Sequence, residues 1–375
     1  MTRRVYLDYN GSTPIAPEVA ALMRAAIDQA YGNPSSPHWA GAPSRQAVEK
    51  ARGQVANILG CAAEEVVFTS GGSESNNFAL KGAFFASKRA RRHIITTQIE
   101  HPSIVAPCRF LERMGAEITW LPVDGVGQVD PDDLRRAITA DTILISVMHA
   151  NNEVGTIQPM EDCAAIARAH GIPFHTDAAQ SVGKIPTRVD DLGVDLLTIV
   201  GHKLYAPKGV GALYIRSGTA LEPLIHGAGH EGGRRAGTES AMLAAALGEA
   251  CVLAADLTSM ERVRSLRDRF WSALRERFGN QVALNGHPME RLPNTLDVSF
   301  VGHIGADILA RLDGVAASTG AACHAGRIEL SPVLAAMRVP EGVGMGAVRF
   351  SLGRSTTAEE IAYVVERLTR AVQEV

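Results

Sequence analysis

Leu196-Leu197-Thr198-Ile199-Val200-Gly201-His202-Lys203 is an apolar, β-branched run that stops at a glycine and delivers a lysine. The run reads as a strand over 196–200. Its end is a semi-buried place for Lys203, with apolar neighbours and the small Gly201 beside it, and burial there lowers the pKa that an imine-forming amine must have lowered. Upstream, Phe174-His175-Thr176-Asp177-Ala178-Ala179-Gln180 reads as a second strand ending on an acid. An ionised Asp177 there could keep a bound pyridine nitrogen protonated and make its ring an electron sink. Neither residue is specific alone; together they point to pyridoxal phosphate chemistry.

Outward from this pair, short β-rich runs alternate with helical patterns. Strands are predicted at 65–69, 94–97, 117–121, 142–148, 173–177, 196–200 and 210–215, and helices at 73–87, 103–114, 131–139 and 161–170. Alternation of this kind means an α/β unit with a mainly parallel sheet covered on both faces. After about residue 259 the texture changes to a long charged helix over 260–278, strands at 295–300, 315–318 and 348–352, and a last helix. That helix opens on a capping box of Thr357 and Glu360 and sets Ile361, Val364, Val365, Leu368 and Val372 on one face. The expected division is a large domain over 15–258 and a smaller α+β domain made of 1–14 and 259–375.

Bulk properties narrow the function. The 375 residues suffice for a large core and a cleft between domains. Hydrophobic residues at 46% and charged residues at 21% are those of a globular enzyme rather than a disordered chain. With 37 basic and 40 acidic side chains the net charge is -3, so no nucleic acid or other polyanion partner is implied. No apolar run spans a bilayer, and Met1 to Asp8 lacks the apolar region of an export signal, so the expectation is a cytoplasmic protein with no membrane association. The five cysteines are scattered, which excludes a disulfide framework, a structural zinc site and a carrier of clustered thiols. Cys61, Cys108, Cys163 and Cys251 read as inert apolar residues. Cys323 lies in the small-residue stretch Ser318-Thr319-Gly320-Ala321-Ala322-Cys323-His324-Ala325-Gly326, which keeps a thiol uncovered. No metal site is expected: His175, Asp177 and His202 lack a third ligand at helix spacing and would leave the lysine idle.

The strand at 65–69 runs into Ser70-Gly71-Gly72-Ser73-Glu74-Ser75-Asn76-Asn77 and then a helix, so an anion should dock at the helix N-terminus. The turn does not follow the dinucleotide pattern.

These motifs, with Tyr6-Leu7-Asp8-Tyr9, Gly32 to Ser36, Glu100-His101, His149 to Gly155 and Arg349 to Arg354, occur in an order that resembles the cysteine desulfurases and selenocysteine lyases of the class V aminotransferase-like, fold-type I pyridoxal phosphate enzymes. The likeness covers essentially the whole chain. It implies a fold-type I transferase with a mainly parallel seven-stranded sheet and a smaller α+β C-terminal domain carrying the cysteine loop. It implies that Lys203 holds the pyridoxal 5'-phosphate and then acts as base at Cα, that Asp177 pairs with the ring nitrogen, and that Gln180 meets the ring oxygen. His101 would stack on the ring and transfer protons, with Asn152 near ring and substrate. Gly72, Ser73 and His202 would hold the phosphate, joined by Thr238 from the partner subunit of a homodimer. Arg354 would bind the substrate carboxylate, and Cys323 would take the sulfur as a persulfide. Many members carry a phosphate-binding serine before the Gly-His-Lys; this chain has Val200, one hydroxyl donor fewer.

The implied reaction turns L-cysteine into L-alanine and passes sulfur to an acceptor protein or small thiol. The alternatives are a selenocysteine lyase, favoured by the Cys323-His324 pair, and another class V lyase or aminotransferase. The chain ends at Val375, soon after Arg354, where longer members continue into a tail that docks an iron–sulfur scaffold, so that partnership is the less expected one.

Overall fold

The computed structural model describes residues 3–319, 322–324 and 327–373, with backbone only at 322–324, 327 and 328. Along the chain run β1 (Val5–Tyr6), β2 (Val66–Thr69), β3 (Arg92–Thr97), β4 (Ala116–Leu121), β5 (Thr142–Ser146), β6 (Phe174–Asp177), β7 (Leu196–Val200), β8 (Gly211–Ile215), β9 (Val282–Asn285), β10 (Thr295–Phe300), β11 (Val315–Ala316), β12 (Ser318–Thr319), β13 (Ala322–His324), β14 (Arg327–Glu329) and β15 (Ala347–Ser351).

Seven of them form one sheet in the order β2-β8-β7-β6-β5-β3-β4. All neighbours are parallel except β8, which runs antiparallel to β2 and β7. Side chains alternate between two cores. Val66, Phe68, Leu197, Ile199, Ala212 and Tyr214 enter the core shared with the helices Gly41–Leu59 and Ala241–Ala254. Val67, Leu196, Leu213 and Ile215 enter the core under the helices Gly72–Ala86 and Pro102–Arg113. Both faces are dry, which is why the strands read as continuous apolar runs.

The parallel direction puts the C-terminal ends of β2, β3, β5, β6 and β7 at one edge, where ligands of open α/β sheets bind. Asp177 pairs in register with Thr198, so the acid ends its strand five residues ahead of Lys203.

A second, antiparallel sheet has the order β12-β15-β10-β9. It packs with the helices Thr258–Phe278 and Ala358–Gln373 around a cluster holding Val298, Phe300, Val348, Phe350 and Leu368. Val5 and Leu7 join this cluster, because β1 lies parallel to β11. The last helix begins as expected: Thr357 N donates to Glu360 Oε2 at 2.9 Å and Glu360 N to Thr357 Oγ1 at 3.2 Å. Two features depart from the sequence reading. The single strand expected at 315–318 is two strands in two sheets, divided at Ala317. Val333 and Leu334, within the span assigned to the small domain, pack into the first core instead. Among the described residues no single helix is long and apolar enough to cross a membrane.

Candidate active site

A cavity of about 310 Å³ opens at the strand-end edge, within the range of ligand pockets, about 300–1,000 Å³. Gly72, Ser73, His101, Asn152, Asp177, Gln180, His202 and Lys203 all line it, together with Asn10 and Arg349.

Lys203 sits in a short helical turn that follows β7. Its Nζ donates to the carbonyl oxygens of Asn10 and of Gly11, the latter at 2.7 Å. Burial lowers its pKa to about 8, with Arg349 repelling the charged form as well. The N-terminal segment laces this turn: Thr13 N donates to His202 O at 2.9 Å and Tyr205 N to Thr13 Oγ1 at 2.7 Å. Tyr205 holds φ at 67°, a strained value for a bulky residue that this lacing maintains.

Asp177 is buried, and each carboxylate oxygen receives one donor: Ala179 N at 2.9 Å on Oδ1 and Asn76 Nδ2 at 2.7 Å on Oδ2. Carboxylate oxygens have acceptor capacity to spare, so room remains for one more N–H. His101 caps the helix Pro102–Arg113; its Nδ1 accepts from Ser103 N at 3.1 Å and pairs with Ser103 Oγ at 2.7 Å. That leaves Nε2 to carry the proton of the neutral ring. Burial lowers the His101 pKa, and Lys203 adds to the effect against the pull of Asp177. Burial lowers His202 to about 4, so it too is neutral at physiological pH.

The cavity is also lined by the N-terminus of the helix Gly72–Ala86, whose first-turn N–H groups have no partner inside the helix. Gly71 takes φ 142°, and a Cβ on Gly72 would lie 2.5 Å from Val200 Cγ2. The backbone therefore approaches β7 closely. Val200 packs on that glycine rather than offering a donor.

His175, weighed above as a ligand, is used between strands: Nδ1 bonds Ser146 Oγ at 2.8 Å and Nε2 bonds Thr198 Oγ1 at 3.2 Å. Among the described residues no three His, Cys, Asp or Glu side chains group to hold a metal.

Two assigned residues lie elsewhere. Arg354 does not line the cavity. Its guanidinium stacks 4.9 Å from the centre of the Tyr205 ring, and it borders a void of about 10 Å³ behind Lys203, too small for an amino acid. The arginine on the cavity wall is Arg349, which donates to Asn152 O at 2.9 Å and Asp8 Oδ1 at 2.8 Å. The signal was present in the sequence: Val348, Phe350 and Leu352 fill the core, so strand alternation turns Arg349 to the other face. Thr238 is exposed and lines no part of its own chain's cavity. Its loop is anchored by Glu231, whose carboxylate accepts from Arg52 at 2.7 and 3.0 Å and from Phe68 N at 2.9 Å.

Cys323 lies on β13, opposite Ile328 of β14. Its thiol falls outside the described side chains. Local sequence gives Asn10, Asn76 and Arg349 no role, because the contacts that place them span 101 or more positions in sequence.

The residues present fit a pyridoxal phosphate: an amine for the aldehyde, a carboxylate with lone pairs to spare for the ring N–H, and a helix N-terminus with a glycine cradle for the phosphate.

A family model described as aminotransferase class-V matches residues 5–364. The chain is 48% identical over 378 residues to a cysteine desulfurase IscS of Dictyoglomus turgidum, covering 100% of this chain and 95% of that one. It is 44% identical to a cysteine desulfurase IscS of Methanosarcina thermophila, covering 99% and 92%. Among solved structures it resembles a NifS-like protein with a TM-score of 0.93 at 36% identity, covering 99% of this chain and 100% of that one. It also resembles SspA in complex with cysteine, with a TM-score of 0.83 at 36% identity, covering 94% and 99%.

Proposed function

From the premise that the chain belongs to the aminotransferase class-V family and is a pyridoxal phosphate-dependent cysteine desulfurase, we propose how its side chains divide the work. The observation that carries the reading is that Lys203 lines the same small cavity as Asp177, Gln180 and the Gly72 helix terminus.

Lys203 would hold the cofactor, and its Nζ would take the Cα proton of the substrate, for which a pKa of about 8 suits it at neutral pH. When bound, the cofactor's ring supplies an electron sink for the charge that develops at Cα. Asp177 would accept the ring N–H, Gln180 would donate to the ring oxygen, and the neutral His101 would carry a proton on Nε2 beside the cofactor. Gly72, Ser73 and His202 would hold the phosphate.

Arg349, with Asn152 beside it, binds the substrate carboxylate. Loss of one charge-assisted contact costs about 1.5–3 kcal/mol, so Arg349→Ala is expected to raise KM for L-cysteine about 10- to 100-fold while Arg354→Ala leaves it within about threefold. Steady-state kinetics decide between them; the reverse ranking would return the role to Arg354.

Cys323 thiolate forms an S–S bond to the substrate Sγ as the Cβ–Sγ bond breaks. The thiol proton of the substrate ends on Cβ and Lys203 returns its proton to Cα, so L-alanine leaves and the sulfur stays on Cys323 as a persulfide. An acceptor protein or small thiol then removes it. The working unit is a homodimer in which Thr238 of each protomer completes the phosphate site of the other. Its exposure, the buried anchor at Glu231 and the exposed large apolar residues Ile27, Tyr31 and Trp39 support this arrangement. The site is not membrane-bound but cytoplasmic in this reading.

Protein reconstituted with pyridoxal phosphate should turn yellow and convert L-cysteine to alanine and sulfane sulfur in equal amounts. Coloured protein that yields no alanine would overturn the reading.

A further inference from the structure

Lys184 is a buried lysine that none of these roles uses. It is 8% exposed, and its Nζ donates to Gln180 Oε1 at 2.7 Å and to Asn10 Oδ1 at 3.3 Å. A side chain of this kind is almost never buried without a reason, since its amine loses water on the way in. Burial lowers its pKa well below the ordinary lysine value, and Lys203 and Arg349 repel the charged form further. An amine donates these two hydrogen bonds whether it is charged or neutral.

The consequence falls on two amides. The oxygen and nitrogen of a glutamine fill nearly the same space, so the neighbours decide which way the group faces. Lys184 demands the oxygen of Gln180, and Nε2 is thereby turned to donate, here to Asn10 O at 3.0 Å on the cavity wall. Asn10 is fixed in the same way. Its Oδ1 receives Lys184 and, at 2.9 Å, Asn294 Nδ2, while its own Nδ2 donates to Thr295 Oγ1 at 2.8 Å. The carbonyl of Asn10 in turn accepts Lys203 Nζ.

We infer that Lys184 is a positioning residue that locks the Gln180 amide with its N–H₂ toward the cavity, so that the wall presents a donor and not an acceptor to the cofactor's ring oxygen. The inference rests on the proposed role of Gln180. With Lys184 gone, the amide is free to turn and face one oxygen with another.

The test is the dissociation constant of pyridoxal phosphate, read from the visible absorbance that develops as the cofactor is added to the cofactor-free full-length protein. Gln180→Ala, Lys184→Met and the double variant form a cycle, with far-UV circular dichroism as the check on folding. Lys184→Met alone is expected to weaken cofactor binding about tenfold, and in the Gln180→Ala background less than about twofold, because the group it acts through is gone. Lys184→Gln, which no longer dictates the amide's orientation, carries the same cycle if the Met variant does not fold. Equal effects in both backgrounds would mean general support of the site and overturn the inference. If Gln180→Ala weakens binding and the Lys184 variants do not, this inference alone falls. If Gln180→Ala itself leaves binding unchanged, the role of Gln180 falls and takes the inference with it.

Discussion

Lys203→Ala is expected to lower the rate of alanine formation from L-cysteine by at least about a thousandfold, since in the proposed reading it removes both the cofactor's covalent anchor and the base at Cα, and proton transfer by a positioned side chain alone contributes about 10²–10⁴-fold. The other walls of the cavity remain, so the variant should still bind pyridoxal phosphate, more weakly. Borohydride treatment should then fail to fix the cofactor to the protein, and mass spectrometry reads that directly. The parent protein offers a pH signature for the same group. Only the neutral amine attacks an aldehyde, and a folded pKa of about 8, lowered first by burial and then by Arg349, leaves roughly a tenth of Lys203 neutral at about pH 7. An ordinary lysine would be neutral roughly 200- to 300-fold less often at that pH. The rate of cofactor attachment to the cofactor-free protein should therefore rise with pH up to about 8 and level off above it. A profile still climbing at about pH 10 would mean that the amine is not buried as the structure has it.

Much of this site could be read from the chain because its parts sit at strand ends. A short strand that ends on Asp177 and an apolar run that stops before Lys203 announce both the strands and the residues they deliver, and parallel order brings those ends to one edge without further information. The capping box at Thr357 and Glu360 is likewise local. What the sequence hid is non-local. The strand break at Ala317 follows from one chain segment pairing first with β1 and then with β15. Asn10 reaches the site from a position 174 residues away from Lys184, by a turn that no local pattern marks. The motif Arg349 to Arg354 holds two arginines and does not say which way either faces. The face is set by which neighbours fill the core, and Val348 and Phe350 do so on either side of Arg349.

Cys323→Ala is expected to abolish persulfide formation, with alanine production from L-cysteine falling at least about a thousandfold, while the visible absorbance of the bound cofactor is kept, because the residues proposed to hold the ring are others than the proposed nucleophile. The other thiols point the same way by their own chemistry. Cys108, Cys163 and Cys251 are buried and Cys61 half-buried, and burial pushes each of the four up to about 12. At such values about one thiol in 10⁵ is ionised at neutral pH, against a few per cent for an ordinary cysteine, and the thiolate is the nucleophile. Cys323 is the fifth and remaining cysteine. It stands on a two-stranded hairpin whose chain is tied on one side by β12 to β15, the strand that carries Arg349, and on the other by Ser331, which caps the helix Pro332–Ala336 through Val333 N at 3.1 Å. Labelling after exposure to L-cysteine should find the added sulfur on the peptide containing Cys323 and on none of the other four. A Cys323→Ala protein that still makes alanine at the parental rate would show that sulfur leaves without this thiol.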